Sequence, residues 1–195
     1  MSTFVPTIPN LLSLARILVV PVQLFLAYQG HKPTFLVILL LVLLSDAVDG
    51  IIARKLNQAS ETGARLDSYG DFATYLSLPL CVWWLWPEII HAEWPYMVLA
   101  LLSYVLPVSI GFLRFRTLIS FHSRGAKLSA ILLGITVLLM MLNGPRWPFR
   151  FSSIIFMAAG IETIFITFVM REPKANVPSI FAALAMRRAK TTAGD

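Results

Sequence analysis

The chain has 195 residues, of which 57% are hydrophobic and only 13% charged, with mean hydropathy +0.76 and formal net charge +6. Soluble domains carry about a quarter charged residues, so this composition excludes an ordinary soluble globule and points to an integral membrane protein. The basic excess fits loops beside anionic lipid, and with no contiguous basic stripe on a soluble fold, nucleic acid is not an expected partner.

The first ten residues, "MSTFVPTIPN", lack the charged n-region of a secretory signal and the arginines of a transit peptide, so no cleaved targeting segment is expected. A spanning helix needs about 20 mostly apolar residues. Six stretches qualify: 11–28, 35–53, 67–86, 95–115, 126–143 and 151–170. The predicted fold is therefore all-α, an integral membrane bundle of six transmembrane helices. Breaks are expected at "QGHKP", "RKLNQASETGAR", "PEIIHAEWP", "HSRG" and "NGPRWP", where Gly, Pro and charge cluster. Residues 1–170 form the predicted membrane domain. Residues 171–195 form a basic tail, either a short surface helix or a disordered end. The lone Cys81 allows neither an intrachain disulfide nor a zinc cluster.

Lys and Arg bias sets orientation. Arg54, Lys55, Arg65, Arg114, Arg116, Arg124, Lys127 and the tail cations fall on one side, against Lys32, Arg146 and Arg150 on the other. The richer side should be cytoplasmic, with both termini inside. Trp83, Trp84, Trp86, Trp94 and Trp147 then fall near the outer boundary, where indoles favour the headgroup zone. Arg16 lies within the first span, near its start.

The chemistry concentrates in "SDAVDGIIARKLNQASETGARLDSYGD", directly after an apolar run. Asp46 and Asp49 are three apart and Asp67 and Asp71 four apart, so each pair shares one helix face. The two helices are antiparallel about a loop centred near residue 58 or 59, which brings the pairs to matching depths. If the faces point at each other, four carboxylates surround one small volume; anions that close would raise one another's pKa, and protonation, basic partners or metal could relieve the repulsion. Oxygen-only ligands point to a hard cation, Mg²⁺, Mn²⁺ or Ca²⁺, and four carboxylates could hold two ions. Two metals beside a phosphate neutralise charge that develops during displacement. Gly50 and Gly63 allow close approach of backbone or ligand, and Arg54 projects a fork of donors suited to phosphate. Ser60 by itself is an ordinary loop residue.

The pattern Asp46-x2-Asp49-Gly50-x2-Ala53-Arg54-x8-Gly63-x3-Asp67-x3-Asp71 resembles, at every position, the signature of CDP-alcohol phosphatidyltransferases. The preceding "TIPNLLSLARILVVPV" is similar to the amino-terminal segment of phosphatidylglycerophosphate and cardiolipin synthases. The resemblance implies transfer of a phosphatidyl group from CDP-diacylglycerol to a small polar alcohol, with release of CMP, in phospholipid biosynthesis. It implies that Asp46, Asp49, Asp67 and Asp71 bind two divalent ions, usually Mg²⁺ with Mn²⁺ as an alternative, and that Asp71 is the general base. Asn10, Ser13, Gly50, Arg54, Ser60 and Gly63 would contact the CDP donor. Family members are commonly homodimers, and a bacterial inner membrane with the site facing the cytoplasm is the expected setting.

The acceptor is read from "RFRTLISFHSRGAK", where Arg114, Arg124 and Lys127 could bind a phosphorylated alcohol. Glycerol 3-phosphate is the first expectation. Inositol phosphate, phosphatidylglycerol and serine stay open, because "SYVLPVSIGFLRFR" lacks the Arg-Glu pair common in the fourth span of phosphatidylglycerophosphate synthases. A rival from another class is a divalent-cation or proton pathway. It would need acids in the outer half of the bundle, and apart from Glu162 the remaining spans are nearly free of them.

Overall fold

A computed structural model describes residues 7–55, 61–116, 123–170 and 177–192. The described residues form helices throughout, with no strand among them: α1 (Ile8–Tyr28), α2 (Lys32–Lys55), α3 (Glu61–Leu85), α4 (Pro87–Phe115), α5 (Arg124–Met141), α6 (Trp147–Val169) and α7 (Ile180–Thr192). Among them α1, α4 and α6 are long and apolar enough to cross a membrane, and α5 is a shorter apolar helix. The chain divides into two compact units, Met1–Trp94 and Pro95–Asp195.

In the first unit α1 packs against both α2 and α3. The patterning of α1 is inverted relative to a soluble helix. Leu18, Val22 and Phe25 face outward, whereas Asn10, Ser13, Arg16 and Gln23 are buried. In lipid, the apolar face needs no protein partner and the polar one does, so the polar stripe turns inward. Opposite it α3 offers buried Ser68 and Thr74, and Gly70 marks a close approach of the two helices. At the far end of this unit Lys32 Nζ sits 5.2 Å from the Trp86 ring centroid, and Tyr28 packs edge-on against Trp84.

One expected break differs. "PEIIHAEWP" is helical from Pro87 onward, and α3 and α4 are separated by Trp86 alone. Proline at the first position of a helix has no N–H to lose, and it disfavours a helical residue before it, so the turn falls on Trp86. Pro95 lies inside α4 without ending it, as membrane helices tolerate where neighbouring groups re-satisfy the backbone. The start of α3 at Glu61 rather than at residue 67 lifts the acidic pair well into the helix.

In the second unit α5 packs on α6 through a buried Thr136–Ser152 hydroxyl pair at 2.7 Å. Gly160 on α6 lies so near the backbone of Ser103 on α4 that a Cβ there would sit 2.6 Å from the Ser103 carbonyl oxygen. The expected tail contains α7, which docks on α6; Ala183 of α7 and Val177 just before it are buried with Ile166 and Met170 at the end of α6. Glu162 ties this unit together. Its Oε2 accepts from Ser123 Oγ at 3.0 Å and its Oε1 from the Ile180 N–H at 3.3 Å. Ser123 Oγ in turn accepts from the Ala126 N–H and caps α5. One carboxylate on α6 thereby anchors the starts of α5 and α7, where unpaired N–H groups favour negative charge.

Candidate active site

The site lies within the first unit. At about 1.5 Å rise per residue, Arg16, Asp46 and Asp71 stand about 12, 14 and 15 Å from the nearer ends of α1, α2 and α3. The common depth follows from the alternating directions of the three helices. One oxygen from each of Asp46, Asp67 and Asp71 lies within 4.8 Å of the others. The three differ in exposure, 45% for the Asp46 side chain, 31% for Asp67 and 12% for Asp71.

Arg16 occupies the centre of this group. Its side chain is 2% exposed, and a single nitrogen, Nη1, donates to Asp71 Oδ1 at 2.9 Å and Asp67 Oδ1 at 3.1 Å and forms an ion pair with Asp46 Oδ1 at 2.8 Å. A buried guanidinium needs such partners, since an unpaired charge there costs several kcal/mol. Gly70 lies directly against it: a Cβ at that position would lie 3.4 Å from Arg16 Cδ and 3.7 Å from Nη1, in van der Waals contact.

The sequence located Arg16 in the first span and named basic partners as one relief for the crowded acids, without joining the two. A signal was available. Asn10, Ser13 and Arg16 recur every three residues on a helix whose other face is apolar, and an intramembrane arginine implies a partner. Gly70 had no such signal, because only the crossing of α1 and α3 reveals its role.

The remaining candidates distribute as follows. Asn10 and Ser13 are buried on the face of α1 that carries Arg16. Gly63 lies in the first turn of α3 and is partly buried. Asp49, Gly50 and Arg54 lie on α2 and Arg124 on α5, but their side chains fall outside the described residues, as Ser60 does altogether. Lys127 is exposed in the first turn of α5. Arg114, at the end of α4, donates to the Met170 carbonyl at 3.2 Å and lies over the Phe168 and Phe115 rings. Those contacts cap the end of α6, a structural task the sequence did not suggest.

Chemically, the cluster offers carboxylate oxygens alone, the donor set of a hard divalent cation. A buried positive group already held among those oxygens is independent testimony that the position favours a cation. The residues therefore fit a divalent metal.

The profile of the CDP-alcohol phosphatidyltransferase family matches residues 6–169, and the chain belongs to that family. It is 40% identical over 72 residues, 36% of its length, to the CDP-diacylglycerol–glycerol-3-phosphate 3-phosphatidyltransferase of Aquifex aeolicus. It is 38% identical over 114 residues, 55% of its length, to a CMP-forming cardiolipin synthase of Streptomyces coelicolor. A CMP-forming cardiolipin synthase of Rattus norvegicus shares 34% identity over 117 residues, 57% of the chain. The matches span 40%, 52% and 36% of these three relatives respectively. No solved structure matches the chain at a significant level. Family and apolar helices together make it an integral membrane protein.

Proposed function

We propose that the chain transfers a phosphatidyl group from CDP-diacylglycerol to an alcohol in phospholipid biosynthesis, releasing CMP. The observation that carries this reading is the convergence of Asp46, Asp67 and Asp71 on one point from two helices, inside a motif that the family profile spans. Asp46, Asp49, Asp67 and Asp71 would hold two Mg²⁺ ions, or Mn²⁺, whose charge offsets that gathering on the diphosphate. Asn10, Ser13, Gly50, Arg54, Ser60 and Gly63 bind the CDP portion and fix its phosphorus in line with the incoming hydroxyl, and positioning of this kind supplies much of the acceleration. The acceptor oxygen bonds to the phosphorus that carries the diacylglyceryl group, the bond to the CMP oxygen breaks, and the hydroxyl proton passes to a carboxylate. Asp71 is the general base, which its burial favours: it is the least exposed of the three described acids. A base must stand within hydrogen-bond reach of the hydroxyl it deprotonates.

Glycerol 3-phosphate is the proposed acceptor, with Arg124 and Lys127 as its phosphate ligands and Arg114 a weaker third because it already caps α6. The Aquifex relative bears that acceptor in its name. A second reading, phosphatidylglycerol as acceptor, is favoured by the longer match to relatives named cardiolipin synthase. Six spanning helices with both termini in the cytoplasm, a homodimer and a bacterial inner membrane complete the proposal. The test is CMP release by purified protein from CDP-diacylglycerol and Mg²⁺ with a panel of alcohols. Release only with glycerol 3-phosphate supports the first reading and release only with phosphatidylglycerol the second. Metal uptake into liposomes without CMP release under any condition would favour the transporter instead.

A further inference from the structure

We infer that Arg16 is a built-in counter-cation that competes with divalent metal for the carboxylates of Asp46, Asp67 and Asp71. The inference rests on the reading of these acids as metal ligands and adds a residue from outside the motif to the control of that site.

The Oδ1 atoms of the three acids stand 2.8, 2.9 and 3.1 Å from Arg16 Nη1. Those are distances for N–H donors to charged oxygen. Oxygens bound to Mg²⁺ stand at about 2.0–2.1 Å, so a metal taking these same atoms would draw each inward by roughly 0.8–1 Å. A nitrogen cannot remain at the centre of the contracted group. Loading the seat therefore requires the guanidinium to leave it.

Charge sets the direction of the exchange. One guanidinium faces three carboxylates and leaves the group negative. A divalent ion offers twice the charge and no side-chain entropy cost, so metal can win the seat. It must first replace three ion pairs, two of them charge-assisted hydrogen bonds, to a side chain that is 2% exposed. Arg16 thus does two things at once. It keeps three anions from forcing α2 and α3 apart when metal is scarce, and it lowers the apparent metal affinity below what the carboxylates alone would give. The packing supports this role, since α3 at Gly70 lies within contact distance of the Arg16 side chain at the α1–α3 crossing.

The test compares the full-length wild-type protein with Arg16→Gln and Arg16→Lys in detergent or nanodiscs at alkaline pH. Mn²⁺ binding is read by its paramagnetic resonance signal, and thermal unfolding is followed in chelator and in Mn²⁺. Arg16→Gln is expected to bind Mn²⁺ about tenfold tighter or more, the lower end of what losing a charge-assisted hydrogen bond can shift. It should also unfold earlier than wild type in chelator and recover in Mn²⁺. Arg16→Lys keeps the charge and should bind Mn²⁺ more like wild type. If Arg16→Gln bound Mn²⁺ equally well or more weakly, Arg16 would be a co-resident support and the competition would be refuted. A measurement on the unmutated protein guards against misfolding of the variants. In protein labelled with ¹⁵N-arginine, a guanidinium signal assigned to Arg16 and protected in chelator should lose its protection on Mg²⁺ addition, and retention of that protection at saturating Mg²⁺ overturns the inference. If wild type and an Asp67→Asn, Asp71→Asn double variant showed the same Mn²⁺ affinity, the metal reading itself would fall.

Discussion

Replacing Gly70 tests whether packing between α1 and α3 governs the acid cluster. An alanine Cβ would lie 3.4 Å from Arg16 Cδ, 3.6 Å from the Ser13 carbonyl oxygen and 3.7 Å from Arg16 Nη1. All three are ordinary contacts, so Gly70→Ala should fold, and alanine's better helix propensity adds up to about 1 kcal/mol. Valine is different. Its γ-carbons extend about 1.5 Å beyond Cβ, the length of a carbon–carbon bond. Its χ1 is nearly fixed in a helix, so it cannot rotate both methyls clear. With Arg16 and a backbone carbonyl both in reach, α1 must move or Arg16 must leave its three partners. Overpacking of this kind costs about 1–3 kcal/mol, and loss of the buried ion pairs adds to it. The assay is thermal or denaturant unfolding of both variants in chelator, with CMP release as the functional reading. Gly70→Ala should keep wild-type activity and equal or exceed wild type in stability, while Gly70→Val should lose stability and most activity. Equal stability for Val and wild type would show that the α1–α3 crossing does not position Arg16 as argued.

Gly160→Ala should destabilise the second unit by about 1–3 kcal/mol, because the added Cβ would meet the Ser103 carbonyl at 2.6 Å and backbone cannot rotate away; equilibrium unfolding of the variant checks this. Glu162→Gln retains one oxygen acceptor where two N–H or O–H donors wait, so hydrogen exchange in the first turns of α5 and α7 should quicken, with a loss of about 1–3 kcal/mol. Unchanged exchange at Ile180 would refute the anchoring role of Glu162. Asp71→Asn should cut CMP release by at least about a hundredfold, the lower range for removal of a general base, while Mn²⁺ still binds; near-wild-type turnover would remove Asp71 from that role.

Much of the architecture was readable from local pattern. Every expected span has a helix at its place, and among the described residues α1, α4 and α6 are long and apolar enough to cross a membrane, where only coiling satisfies the backbone. The misplaced break at "PEIIHAEWP" shows the limit of local rules. Proline and charge mark a boundary, yet proline at a first helical position begins a helix as readily as it ends one. Arg114 and Glu162 show another limit. Sequence offered Arg114 as an acceptor-binding residue and left Glu162 without an assigned role, and their partners, the Met170 carbonyl for one and Ser123 with Ile180 for the other, are 56, 39 and 18 residues distant.

The sequence by itself determined the acid constellation. Spacings of three and four on two helices joined by a short connection fix which faces carry Asp46, Asp67 and Asp71 and at what depth, since helical rise and period are constants of the backbone. Tertiary structure alone decided what lies among those acids. Arg16 is 30, 51 and 55 residues from its three partners. No periodicity links residues on separate helices, and only the α1–α3 crossing at Gly70 brings its guanidinium to their oxygens. The repulsion among the carboxylates was legible in one dimension, and the identity of the cation that answers it required three.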